Sequence, residues 1–169
     1  VYVKLFEVHN HPVFNNISKS ETAHTLAVLH LINGYDLEDS ALSAEGEFSN
    51  PLFNDLYEQL TEQGSASLID GLKVGAFIEE YDINDLQHLL AEVENEDVKR
   101  VYEKLLRGST FHLRAFTAVL NAQGVVYEPE ILSAEQYQEI LNSDEEMEEE
   151  TETVTFTPPE GCTGTGPNS

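Results

Sequence analysis

The sequence predicts an all-α bundle followed by an acidic tail. Two observations carry the bundle: apolar residues recur at spacings of three and four along several long segments, and helix-capping residues stand at the ends of those segments. A third marks the tail, where composition turns to acidic residues and then to Gly, Pro, Ser and Thr, with the period-two alternation TVTFT between them.

The opening VYVKLFEV is short, and its Val1, Leu5 and Val8 fit one helical face, so it reads as the end of a helix. Asn15 or Asn16 can cap the next helix, which runs to about Asn33, with Gly34 as its left-handed exit. In SNPLFNDLYEQLTEQG, Ser49 or Asn50 serves as cap and Pro51 fills the first turn. Leu52, Leu56 and Leu60 follow at spacing four and Gly64 stands just past the end, so this shorter helix reads as a connector. Ser67 opens a long segment carrying Leu68, Leu72, Ala76, Ile83, Leu86 and Leu90 before the polar break ENED. Asn95 restarts a helix with Val98, Val101, Leu105, Phe116 and Leu120, ending near Gly124. Ser133 and Gln136 have the spacing of a capping box for a short final helix.

With 169 residues, 40% of them hydrophobic, the chain can bury one real core, expected over residues 1–143, with 144–169 as the tail. Its 32 acidic residues against 8 basic ones give a net charge of -24, which repels polyanions and disfavours nucleic acid as a partner, while suiting cations. No apolar run reaches the length of a membrane span. The chain opens without a charged and apolar leader, so any signal peptide is expected to be already removed. An extracellular or cell-surface location is the expectation, with the cytoplasm as the alternative. Cys162 stands alone and cannot form an internal disulfide.

Polar residues interrupt the apolar stripes. At 100° per residue, Glu21 and His24 share the face of Ile17, Val28 and Leu31. Glu79 and Asp82 share the face of Ala76, Ile83 and Leu86, with Glu80 one step round as the alternative to Glu79. His112 lies between Leu105 and Phe116, and Ser109 is three residues before it. Burying even a neutral polar group without a partner costs roughly 2–7 kcal/mol, so these residues are expected to compensate one another. Each alone reads as a satisfied core residue. Together, a Glu-x-x-His on one helix, carboxylates on a second and a histidine on a third form the ligand supply of a dinuclear carboxylate site inside a bundle. Oxygen and imidazole donors suit iron or manganese.

FNNISKSETAHTLAVLHLINGYDL, LYEQLTEQGSASLIDGLKVGAFIEEYDINDL, VYEKLLRGSTFHLRAF and YEPEILSAEQYQEIL occur in that order, and with them the chain resembles the prokaryotic ferritin-like family catalogued as domain of unknown function 2202. The resemblance runs from residue 1 to about residue 142. It implies a ferritin-like antiparallel four-helix bundle with the first helix truncated, an extra short C-terminal helix and an extended acidic tail. Members of that family open with a Glu-Glu-Lys-Leu-Ala type motif ahead of the position of Val1. The ferritin-like pattern also repeats Glu-x-x-His, and here the second copy reads Ser109-x-x-His112. The expected ligands are Glu21, His24, Glu79 or Glu80, Asp82 and His112, holding two iron or manganese ions. Glu21 and Glu79 are the bridging candidates and His24 and His112 the terminal ligands, for iron or dioxygen chemistry. The competing expectation is a structural subunit of an extracellular polymer or filament. In it, residues 154–157 pair as a strand with a neighbouring copy, making the chain a homo-oligomer.

Overall fold

Six helices and no strand make up the residues that the computed structural model describes, which are 1–42, 44 and 46–143. They are α1 (Tyr2–His9), α2 (Pro12–Gly34), α3 (Pro51–Ser65), α4 (Leu68–Glu92), α5 (Glu96–Ala122) and α6 (Ala134–Asn142). The expected strand at 154–157 and Cys162 lie outside the described residues.

Caps explain most boundaries. Asn10 takes a left-handed conformation (φ 49°) to end α1, and the His11 ring then accepts from the Val13 N–H ahead of Pro12. The second helix therefore starts before Asn15 and Asn16, the caps expected from sequence. An imidazole acceptor followed by proline does the same work as an Asn cap. At its other end Gly34 stays helical, and the left-handed residue is Asp36 (φ 53°). Asn50, Ser67 and Asn95 cap α3, α4 and α5 with their side chains, and the Ser133–Gln136 capping box opens α6.

One residue expected on the buried face of α1 faces elsewhere: Val8 is 46% exposed, whereas Leu5 is buried, Val1 packs against the core, and Tyr2 is buried beside them. The helix is rotated so that Leu5 meets α3 at Gly64 and Tyr2 meets α4 at Gly75. Gly64 is consequently inside α3 and buried, not beyond its end. A Cβ there would sit 2.8 Å from Leu5 Cδ2. The apolar row of α3 is only partly buried, since Leu60 is in the core but Leu52 is 73% exposed.

Contacts along the helices give their directions. Gly75 faces Phe116 and Glu79 faces His112, so α4 and α5 are antiparallel. Phe14 packs on Phe116 at 5.8 Å between ring centroids and His24 reaches Gly108, so α2 is also antiparallel to α5. Running the opposite way to α4, α1 is tied to α3 by a bond of 2.7 Å between His9 Nε2 and the Gly64 carbonyl. Leu5, Phe14, Leu72, Ile83, Leu113, Phe116 and Leu120 are fully buried where these helices meet. Leu105 is half-buried, because it faces a recess beside α2 instead of the core.

Gly75 makes the sign of one substitution informative. By helix propensity, Ala at a mid-helix Gly should stabilise by up to about 1 kcal/mol. A Cβ at Gly75, however, would lie 2.5 Å from Cε1 and Cζ of Phe116, whose ring is held by Tyr2 and Phe14. Gly75→Ala is expected to destabilise by about 1–3 kcal/mol in urea unfolding. Leu52→Ala should stay within about 0.5 kcal/mol. A stabilised Gly75→Ala protein contradicts this packing.

Candidate metal centre

Burying Glu79 completely creates an electrostatic demand that the helices around it meet only in part. Its carboxylate is 0% exposed on α4, facing α1 on one side and α2 and α5 on the other. The Tyr2 hydroxyl donates to Glu79 Oε1 at 2.5 Å. Glu79 Oε2 points the other way, to His112 Nδ1 at 3.5 Å, and His112 Nδ1 lies 2.9 Å from Glu21 Oε1. These three atoms are buried, yet none makes a hydrogen bond of proper geometry. They lie within 4.8 Å of one another. Donor atoms around a small divalent ion, each about 2.0–2.2 Å from it, sit roughly 3.0–3.5 Å apart. Glu21, Glu79 and His112 therefore form a group that could hold a metal ion, and it is the one such group among the described residues.

Charge and burial set the titration of the cluster. Burial pushes the Glu79 carboxyl up, against the opposing pull of His112. For Glu21, burial also raises the pKa, but His112 and His24 outweigh it and bring the carboxyl down to about 2. Burial lowers His112, and Glu21 and Glu79 overcome it, so the imidazole is raised to about 9. Asp82, on the same face as Glu79, is pushed up to about 7 by burial and then by Glu79 and Glu21. Burial and the neighbouring Glu79 hold Tyr2 well above the usual phenol range, so it stays a donor.

Other expected ligands take different roles. His24 contacts Glu21 Oε2 through Nδ1 at 3.3 Å, and its ring lies 5.5 Å from that of His112. It orients a ligand instead of joining the group. Asp82 is half-buried at the edge, lining an apolar recess of about 280 Å³ with Phe48, Phe77 and Tyr81. Glu80 is fully buried but turned away: it accepts from the Tyr127 hydroxyl at 2.5 Å and from the backbone N–H groups of Glu130, Ile131 and Leu132. With its oxygens engaged in fixing the segment between α5 and α6, Glu80 does not replace Glu79. Ser109 is buried on α5 and leaves that turn without a carboxylate.

The uncharacterized protein domain family DUF2202 matches residues 1–144. The chain belongs to this family. Uncharacterized protein MJ0754 of Methanocaldococcus jannaschii is 44% identical over 147 residues, which cover 86% of this chain and 80% of that protein. The crystal structure of hypothetical protein MJ0754 from Methanococcus jannaschii superposes with a TM-score of 0.83 at 43% identity, covering 86% of this chain and 83% of that one. DUF2202 is itself uncharacterized, so function has to be read from the site.

Sequence periodicity located Glu21, Glu79 and His112 but missed Tyr2. Its signal was present: Tyr2 stands three residues before Leu5 and so shares its helical face.

Metal-free protein should be most stable in mildly acidic solution. The stabilising share of His112 is fully present below its ordinary 6.5 and lost as pH rises through about 9, and that of Asp82 is lost as pH rises from 3.8 through about 7. The share from Glu21 is present above 4.5 and lost as pH falls toward 2. Thermal melts of chelator-treated protein from pH 6.5 to 9 should show a falling Tm, and His112→Asn should remove much of that fall. A Tm that rises across this window contradicts the assignment.

Proposed function

We propose that this chain is a ferritin-like helical protein that binds iron or manganese at Glu21, Glu79 and His112. The observation that carries the reading is the convergence, from α2, α4 and α5, of three buried donor atoms that meet only one another, without a hydrogen bond of proper geometry. A structural polar network leaves few such groups, because each costs about 1–3 kcal/mol. A cation answers all three at once. The antiparallel packing of α2 and α4 on α5, with α1 alongside, supports the ferritin-like arrangement.

Two carboxylates and one imidazole suit iron or manganese by donor type. Iron bound there would supply one-electron redox chemistry with dioxygen. The chain's own residues would do the rest. Glu21 and Glu79 bring negative charge, and His112 must release its proton to donate, so uptake weakens as pH falls. Phe14, Phe116 and Leu113 keep the core around the site apolar. A recess of about 330 Å³ between α2 and Leu105, with Glu21 and His24 in its wall, gives small molecules a way to the cluster.

Titration of chelator-stripped protein with Mn(II), and with Fe(II) under anaerobic conditions, tests the reading. Saturable binding is expected, weakened about a hundredfold or more in Glu79→Gln and in His112→Ala, because loss of a ligand should exceed the 10–100-fold cost of losing a supporting residue. Absence of saturable uptake of either ion by the wild-type protein rules the site out. Oxygen consumption on adding Fe(II) then separates redox activity from binding alone.

A further inference from the structure

We propose that this centre holds one metal ion, not a bridged pair, because Tyr2 and His24 each occupy the outer oxygen of a ligand carboxylate. The inference rests on the metal-binding reading above. A carboxylate that bridges two ions in the ordinary way offers one oxygen to each. Glu79 aims only one of its oxygens at the cluster, because the other is turned toward α1. Its Oε1 accepts from the Tyr2 hydroxyl at 2.5 Å, and that phenol is fixed in place: it is buried, lies 3.4 Å from the Gly75 carbonyl, and packs on Phe116 at 5.5 Å between ring centroids. Turning Tyr2 aside would open a cavity between α1 and α5. Glu79 Oε2, facing Glu21 and His112, is the oxygen left for an ion.

Glu21 is divided in the same way. Its Oε1 faces His112 Nδ1 at 2.9 Å, while Oε2 faces His24 Nδ1 at 3.3 Å. The other nitrogen of His24 is directed at the backbone of α5. A Cβ at Gly108 would lie 2.5 Å from both Cε1 and Nε2 of that ring, so the imidazole is seated in the space that only glycine leaves. His24 therefore presents neither nitrogen to a second ion. On α5, Ser109 stands where a second Glu-x-x-His would place its carboxylate. Among the described residues, the second bridging oxygen, second terminal imidazole and further carboxylate are each turned elsewhere or replaced, by separate parts of the chain. In this arrangement Tyr2 and His24 are positioning residues, each aiming one carboxylate oxygen at the centre.

Mn(II) provides the probe, since an isolated ion and an exchange-coupled pair give different electron paramagnetic resonance spectra. Chelator-stripped wild-type protein reloaded with Mn(II) should bind one ion per chain by elemental analysis, with the six-line spectrum of an isolated ion. Tyr2→Phe keeps the ring and removes only the hydroxyl, so Glu79 is freed to turn. It should weaken Mn(II) binding about 10–100-fold, the usual effect of losing a supporting hydrogen bond, and alter the spectrum while helical content is unchanged. Tyr127→Phe, which removes the phenol on Glu80, should leave affinity and spectrum as in the wild type. Two ions per wild-type chain with a coupled multiline spectrum overturn the inference while leaving the metal site standing. Equal affinity and spectrum in Tyr2→Phe and Tyr127→Phe overturn the role of Tyr2. A wild-type chain that takes up no Mn(II) or Fe(II) at all removes the parent reading and this inference together.

Discussion

A carboxylate shut away from water, Glu79, sets the terms for the helices around it. Four elements meet at this one side chain: α1 supplies a phenol, α5 an imidazole, α2 a second carboxylate, and α4 the residue itself. An unpaired buried charge is among the costliest things a core can hold, so the partners are not decoration on a fold settled otherwise. Tyr2 can reach Glu79 only because α1 lies close on α4. His112 can do so only because Gly75 lets the Phe116 ring, one turn further along α5, press against the α4 backbone. Small residues set the distances and polar residues use them.

Comparison of Glu79 with its neighbour Glu80 shows how differently two buried carboxylates can be answered. Glu80 receives a phenol and several backbone N–H groups, which together satisfy a carboxylate without help from any ion. Glu79 receives one phenol and then faces another carboxylate and an imidazole nitrogen with no hydrogen bond made. The first is a finished structural clasp. The second could hold a metal ion. Both phenols are held protonated by burial and by the carboxylates they serve.

Much of this was legible from residue spacing, and the gaps have identifiable causes. The period of three and four fixed the faces of α2, α4 and α5, and so brought Glu21, Glu79 and His112 to the interior in advance. Periodicity resolves a face to within about one residue step, which is why Glu80 competed with Glu79 and why Asp82, at the margin, was included. Deciding between them needs the partner helices, and Tyr127 lies far from Glu80 in sequence. The face of α1 was misread because so short a helix gives two or three apolar positions, too few to fix its rotation. Tyr2 was overlooked since a tyrosine at the start of a short segment carries no mark of the carboxylate it will meet. The start of α2 was displaced by His11, whose ring acts as a cap although histidine is not among the usual capping residues.

The adjacency of Glu79 and Glu80 has a mechanical side. Consecutive helical residues project about 100° apart, so α4 is gripped on two flanks at the same height, by the α1–α2–α5 cluster on one and by the 127–132 segment on the other. A shaft pinned in two directions at one level can neither roll about its axis nor slide along it without tearing one of the grips. Through Glu80 the same level of α4 is bonded to Tyr127 and to the backbone that leads into α6.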